Sequence, residues 1–132
     1  MDYRENLLKL ARKAFENAYC PYSSFPVGSA VMVDDGEIFT GCNIENSSYS
    51  LCLCAERAAI GAAVNSGYRK FKAVAVSAKK VSPCNPCGAC LQFMSEFGAD
   101  IELILEDENG KPIIRTIADY LPHMFTPADL KL

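Results

Sequence analysis

The stretch that decides the fold is Cys54-Ala-Glu-Arg-Ala-Ala-Ile-Gly-Ala-Ala-Val64, followed by Asn-Ser-Gly67. Its alanine content favours a helix over a strand, and the glycine after it is typical of a helix end. So many small side chains predict a buried helix that packs closely on a sheet. This helix begins directly after a cysteine and carries a glutamate in its first turn, so it is also a candidate part of a functional site.

Hydrophobic periodicity on both sides of this helix indicates alternating helices and strands. Apolar residues at helical spacing predict amphipathic or buried helices, and short β-favouring runs bounded by turn residues predict strands. The predicted order is α-β-β-α-β-α-β. The elements are a helix at 3–19, strands at 27–33 and 37–43, the helix at 55–64, a strand at 72–78, a helix at 87–97, and strands at 101–105 and 112–116.

The last two predicted strands are joined by a short turn that contains Asn109-Gly110. A turn this short can join only antiparallel neighbours, so the fifth strand is expected to run back along the fourth. The resulting hypothesis is a three-layer α/β/α fold with helices on both faces of a mixed five-stranded sheet. We expect a single domain over residues 1–132.

Composition limits the classes of partner. The chain has 132 residues, of which 50% are hydrophobic and 22% charged, and this balance is typical of one globular domain. A formal net charge of −3 argues against a nucleic-acid partner. No run of about 20 apolar residues predicts a membrane span, and the mixed N-terminal residues do not resemble a signal peptide. These features predict a cytoplasmic protein that does not bind membranes.

Seven cysteines and one histidine make the thiols the main candidate ligands. Because seven is odd, complete disulfide pairing within the chain is excluded. Cys87 and Cys90 are three residues apart at a predicted helix start, so they share a face and can hold one ion. Cys54 could complete a set of three thiolates, and three ligands leave the fourth position of zinc open, as in catalytic sites.

Three further residues bear on that hypothesis. Glu56 lies two residues after Cys54, a spacing that can converge on an ion just ahead of the first helical turn, which predicts a proton carrier rather than a ligand. Cys84 forms a second Cys-x-x-Cys pair with Cys87, and the spacing alone does not choose between the two pairs. Cys52 alternates with Cys54 along the chain, and we expect it to point away.

Five motifs occur in an order that resembles the homotetrameric cytidine deaminase family. They include the Cys-Ala-Glu element and the Pro-Cys-x-x-Cys element of zinc deaminases. One departure is Leu91, which follows Cys90 where many members of the family carry arginine. The motifs are Tyr19-Cys-Pro-Tyr-Ser-Ser-Phe25, Gly41-Cys-Asn-Ile-Glu-Asn46, Cys54-Ala-Glu-Arg57, Pro86-Cys-Gly-Ala-Cys90 and Leu121-Pro-His-Met-Phe125.

The resemblance implies an enzyme of pyrimidine salvage that deaminates cytidine and deoxycytidine to uridine and deoxyuridine, with release of ammonia. It implies one Zn²⁺ per subunit, held by Cys54, Cys87 and Cys90, and Glu56 as the catalytic proton carrier. Three thiolates give Zn²⁺ a formal charge of −1. Arg57 matches a family residue that hydrogen-bonds to the thiolates, and its cation would offset this charge.

The resemblance also implies a nucleoside site. Asn43 and Glu45 would hold the ribose 3′-hydroxyl, Phe25 would pack on the pyrimidine, and the Ala55 backbone N–H would reach a base oxygen. A negative Glu45 should repel nucleotide phosphates, which favours free nucleosides over nucleic acid. Phe125 corresponds to an aromatic residue that the family inserts into the pocket of a neighbouring subunit.

The same family assembles as a homotetramer, and Tyr49 is expected to support the subunit interface. Two other functions remain open at this point. A deaminase of a nucleoside-like antibiotic would be discriminated by the ribose motif at 43–46, and a structural zinc module would leave Glu56 without a role. Polynucleotide-editing and tRNA deaminases are expected to have a parallel fifth strand, so the predicted hairpin favours the nucleoside branch.

Overall fold

Five strands form a single mixed sheet in the computed structural model, which describes residues 2–131. Their order across the sheet is β2-β1-β3-β4-β5, and β3 and β4 are parallel while the other neighbours are antiparallel. β5 pairs with β4 from Thr116 opposite Glu102 to Pro112 opposite Glu106, which confirms the antiparallel fifth strand. The strands are β1 (Val27–Val33), β2 (Ile38–Cys42), β3 (Phe71–Ala78), β4 (Glu102–Glu106) and β5 (Pro112–Thr116).

Helices cover both faces of this sheet. Because side chains of a strand alternate between faces, neighbouring residues of β1, β3 and β4 enter two separate cores. One core joins Leu7, Leu8 and Ala11 to Ala30, Ala75 and Ile104; the other joins Ile60, Ala63 and Met94 to Val31, Val74 and Leu103. The fold is therefore the predicted α/β/α arrangement of three layers. The helices are α1 (Tyr3–Phe15) on the first face, and α2 (Ala55–Asn65), α3 (Gly88–Ser95) and α4 (Ile117–Tyr120) on the second.

α1 ends at Phe15, earlier than the predicted end at residue 19. The cause is a tertiary contact: the Tyr19 N–H donates to the Asn43 carbonyl, and Tyr19 forms a parallel bridge with Ile44. This pairing pulls the chain out of the helix and ties the following loop to the segment after β2. α1 has 13 residues, and no helix among residues 2–131 is long and apolar enough to cross a membrane.

Two glycines allow the helices to lie close to the sheet. A Cβ atom at Gly28 would lie 2.0 Å from the Ala11 carbonyl oxygen of α1. A Cβ atom at Gly41 would lie 2.5 Å from the Ala59 nitrogen and 2.8 Å from the Ala55 oxygen of α2. No real side chain fits at these distances, so glycine at position 41 fixes how closely the start of α2 approaches β2.

Candidate active site

The site begins with two helices that start at a cysteine. Cys54 is the N-cap of α2 and Cys87 is the N-cap of α3, both with extended backbone angles. An N-cap residue normally uses its side chain to accept a hydrogen bond from the first turn. Neither cysteine makes such a bond within the described part of the chain. The two thiols instead face each other, with their sulfur atoms 4.0 Å apart.

Cys90, in the first turn of α3, completes a compact group. The sulfur atoms of Cys54, Cys87 and Cys90 all lie within 4.8 Å of one another, and all three thiols are free. Thiolates are suitable ligands for zinc, and this spacing fits Zn–S bonds of about 2.3 Å around one tetrahedral ion. The group contains Cys90 and not Cys84, which favours the Cys87–Cys90 pair over the alternative pair. The three residues therefore fit a metal with one position left open.

Arg57 lies against this group. Its Nη2 donates to Cys54 Sγ at 3.4 Å and to the Cys52 carbonyl oxygen at 3.3 Å. A hydrogen bond with Cys90, followed by the nearby Arg57 cation, lowers the pKa of Cys54 to about 5. The contact with Cys54, followed by burial, raises the pKa of Cys90. Arg57 Nε is buried without a hydrogen-bond partner among residues 2–131.

Glu56 brings a carboxyl group to the same place. Its side chain is only 4% exposed, and it lines a pocket together with Cys54 and Cys87. Burial raises the pKa of Glu56, since the charged form loses its hydration. A buried carboxyl group that opens onto a pocket beside three thiols can take up and release a proton within that pocket.

The pocket has a volume of about 250 Å³. Glu56, Cys84 and Cys87 all belong to its wall, and Cys84 lies close enough to the other two for their charges to act on it. Glu45 and Cys52 lie where the pocket meets a neighbouring depression next to Tyr22 and Tyr49, because they line both. This volume is close to the lower end, about 300 Å³, of the range that is usual for small-molecule pockets.

Asn43 and Glu45 both line the pocket, and each is held by the backbone before β1. Asn43 Oδ1 accepts from the Val27 N–H at 2.9 Å, and its Nδ2 donates to the Phe25 carbonyl at 2.9 Å. The Glu45 carboxylate accepts from the Tyr22 and Ser23 N–H groups and from the Ser23 hydroxyl. The hydroxyl bond lowers the pKa of Glu45 first, followed by the backbone bonds, so the group is a carboxylate at neutral pH.

The remaining predicted residues divide between the pocket and its surroundings. Ala55 is buried and lines the pocket, and as the first residue of α2 its N–H has no acceptor inside the helix. Phe25 and Phe125 are not among the described residues that line the pocket. Phe125 is 56% exposed and its carbonyl accepts from Gln92, while Tyr49 is 70% exposed and its ring lies 5.7 Å from that of Tyr22.

Two further thiols, Cys52 and Cys84, lie in the pocket wall. The Cys52 Sγ contacts the Asn46 backbone, whereas the Cys54 Sγ contacts Cys87 and Arg57, which agrees with the expectation that Cys52 points away from Cys54. Cys84, in the loop before α3, also lines the pocket, and burial raises its pKa to about 11. The one feature of the sequence that pointed to Cys84 was its position three residues before Cys87, in the second Cys-x-x-Cys pair.

Comparison with known proteins agrees with this geometry. Residues 1–105 match the model of the cytidine and deoxycytidylate deaminase zinc-binding region. This match assigns the chain to the class of zinc-binding deaminases.

Relatives and solved structures narrow the class further. The chain is 47% identical to a cytidine deaminase of Sporosarcina psychrophila over 127 residues, 96% of this chain and 93% of that protein. It is 44% identical to a cytidine deaminase of Halalkalibacterium halodurans over 128 residues, 96% and 97% of the two chains. The crystal structure of cytidine deaminase from Burkholderia pseudomallei superposes with a TM-score of 0.88 at 44% identity, covering 95% of this chain and all of that one. The chain belongs to the cytidine deaminase family.

Proposed function

We propose that this chain removes the amino group of cytidine and deoxycytidine by hydrolysis, giving uridine and deoxyuridine with release of ammonia. The observation that carries the proposal is the buried carboxyl group of Glu56, which opens onto a pocket beside three free thiols. A purely structural metal site would have no use for this carboxyl group, whereas hydrolysis needs a group that moves protons. The family of the chain supports the same reaction.

Cys54, Cys87 and Cys90 would hold the zinc ion. When bound, zinc supplies a Lewis acid that makes water nucleophilic near neutral pH. Glu56 then accepts a proton from the water that attacks C4 of the pyrimidine, and delivers it to ring N3. A second proton would pass from the hydroxyl group now on C4 through Glu56 to the amino nitrogen, which leaves as ammonia as the C4–N bond breaks and the C4 carbonyl forms.

Arg57 would act as a positioning residue. Three thiolates give a zinc ion a formal charge of −1, which weakens its attraction for the electrons of water. The Arg57 guanidinium donates to Cys54 Sγ, so it draws electron density from that sulfur. It also holds the Cys52 carbonyl, which fixes the chain just ahead of α2. Both contacts support the geometry in which Glu56 faces the pocket.

The end of the pocket near Glu45 would receive the sugar. Glu45 is a fixed carboxylate, and Asn43 keeps one amide hydrogen beyond the bond to Phe25, so together they could accept from and donate to the 3′-hydroxyl. The negative charge of Glu45 repels a substrate phosphate, which favours a nucleoside over a nucleotide or nucleic acid. The Ala55 N–H would reach the base oxygen, and Phe25 would pack on the ring.

A homotetramer would complete this site. Phe125 is 56% exposed and Tyr49 70% exposed, so both aromatic rings are available to contact another subunit. We infer that Phe125 enters the pocket of a neighbouring subunit and that Tyr49 supports the interface. The enzyme would serve pyrimidine salvage in the cytoplasm. Analytical ultracentrifugation of the purified protein tests the assembly, with a monomer at micromolar concentration as the contrary result.

The direct test of the reaction follows the loss of cytidine absorbance with purified protein whose zinc content has been measured. We expect one zinc ion per chain and conversion of cytidine and deoxycytidine to their uracil products. Cytidine monophosphate should be a poor substrate, because its phosphate approaches Glu45. Stoichiometric zinc without turnover of either nucleoside would overturn the proposal and favour a structural metal site.

A further inference from the structure

The loop between β3 and α3 places one more side chain at the reacting end of the pocket. Cys84 lines the pocket with Glu56, Cys54 and Cys87, and it also packs against the larger hydrophobic core. It is near enough to Glu56, Cys54 and Cys87 that their charges raise its pKa, after burial itself. Its sulfur is nevertheless outside the group of three that could hold a metal.

The position of Cys84 differs from that of Cys52, the other thiol in the pocket wall that is not a candidate ligand. Cys52 also borders the depression near Tyr22 and Tyr49, and its Sγ lies 3.4 Å from the Asn46 nitrogen. It therefore lies toward the Glu45 end. A reacting pyrimidine must place C4 beside Glu56, so the ring edge around C4 approaches Cys84 while the sugar extends toward Cys52.

We propose that Cys84 is a specificity-determining residue, which limits the size of the substituent that a pyrimidine carries beside the reacting carbon, on ring C5 or on the amino nitrogen. This inference rests on the proposed function. The side chain packs against the core on one side, so it has little freedom to move away from a larger ligand. A small thiol leaves room for cytidine, and its size sets the limit for modified bases.

The test compares substrate ratios in Cys84→Ala and Cys84→Leu. The specificity constant kcat/KM is measured for cytidine, 5-methylcytidine and N4-methylcytidine with zinc-loaded proteins. Because one methyl group in a tight pocket changes discrimination by about tenfold or more, Cys84→Ala should raise the ratio of one methylated substrate to cytidine by about that factor. Cys84→Leu should lower the same ratio. The substrate that responds identifies the ring edge that Cys84 faces.

Cys52→Ala is the matched control, because it removes a thiol from the other end of the same pocket and should leave both ratios unchanged. Calorimetric binding of uridine and 5-methyluridine adds a measurement without turnover, and a response at C5 should appear there with the same sign. If both ratios match those of the wild type in zinc-loaded Cys84→Ala and Cys84→Leu, the inference is wrong. Loss of zinc from Cys84→Ala would also overturn it, since Cys84 would then be a ligand. A wild-type protein that leaves cytidine unchanged would instead contradict the proposed function.

Discussion

The four α-helices that the structure describes within residues 2–131 begin in two different ways. α1 starts at Asp2, whose carboxylate accepts from the Arg4 N–H, and α4 starts at Thr116, which forms a reciprocal capping box with Asp119. α2 and α3 start at Cys54 and Cys87, and neither thiol makes a capping bond within residues 2–131. The two helix starts without a side-chain cap are those that meet at the pocket. α2 and α3 therefore lack the stabilisation of about 1 kcal/mol that a side-chain cap usually gives, at the positions where the thiols could bind a metal ion.

The acidic residues of the first turns show the same contrast. Glu5 of α1 is exposed, where a carboxylate interacts favourably with the helix dipole and keeps its hydration. Glu56 of α2 is 4% exposed, and burial raises its pKa. Burial of a carboxyl group is unfavourable for stability unless hydrogen bonds or a nearby charge offset the lost hydration. Substitutions at the two kinds of helix start should therefore have different consequences for catalysis and for stability.

The largest effect is expected for Glu56→Gln. The amide keeps the size of the side chain but cannot carry a proton, so kcat should fall by about 10² to 10⁴-fold. Zinc content should be unchanged, and the free energy of unfolding should be equal or higher because a buried carboxyl group is removed. Glu5→Gln, at the corresponding turn of α1, is the control and should leave kcat unchanged. Full turnover by Glu56→Gln would show that the proposed proton carrier is wrong.

A smaller effect is expected for Arg57→Ala. Removing a group that holds a metal ligand typically reduces activity or metal affinity by about 10 to 100-fold, so kcat should fall within that range while KM for cytidine changes little. Arg57→Lys should recover part of the loss, since it restores the charge without the forked geometry. Arg69→Ala is the control, because Arg69 bonds the Val64 carbonyl near the far end of α2. Unchanged turnover together with full zinc retention in Arg57→Ala would contradict the role.

The sequence predicted the features that depend on local pattern. The alanine-rich helix after Cys54 and the Asn109-Gly110 hairpin gave the layers and the direction of the fifth strand, because small side chains and tight turns constrain their neighbours directly. The end of α1 could not be predicted, because it depends on the pairing of Tyr19 with Ile44, which are distant in sequence. Which residues line the pocket also depends on contacts between segments that are distant in sequence.

The candidate site also contains residues that were expected from the sequence and residues that were not. The spacing at helix starts left two Cys-x-x-Cys pairs open, and the family resemblance implied the set of Cys54, Cys87 and Cys90. The structure brings the sulfur atoms of these three residues together. Cys84 could not be placed, since the course of an irregular loop depends on the core against which it packs. Phe125 lies outside the pocket lining of its own chain among the described residues, so its assignment still rests on the family resemblance.

The start of α1 should stabilise the fold in a pH-dependent way. Arg4 donates to the Glu102 carboxylate at 2.6 and 2.8 Å, and the Tyr3 hydroxyl donates to the same group at 2.8 Å. The Arg4 bonds lower the pKa of Glu102 below its ordinary value of 4.5. The stabilisation is therefore fully present above pH 4.5 and is lost as the pH falls through the lower pKa of the folded state.

Glu102→Gln tests this pair by urea unfolding across the pH range. At pH 7 the variant should lose about 1 to 2 kcal/mol of the free energy of unfolding, since the bonds to a charged group are replaced by weaker ones. The difference from the wild type should shrink as the pH falls below 4.5, while kcat at neutral pH stays the same. A difference that is constant with pH would show that packing, rather than the charge of Glu102, stabilises this corner.

The smallest effect, and the one that bears most directly on the two kinds of helix start, is expected for Cys87→Ser in metal-free protein. Cys87 is exposed, so the change removes little buried surface, and serine is among the preferred N-cap residues. The variant should bind zinc weakly yet gain about 1 kcal/mol of unfolding free energy in the presence of a chelator, through a new bond to the first turn of α3. Thr116→Ala, which removes an existing cap, should lose about the same amount. If Cys87→Ser destabilises the metal-free protein, the thiol itself supports the fold, and the cysteine starts of α2 and α3 do not sacrifice stability for the site.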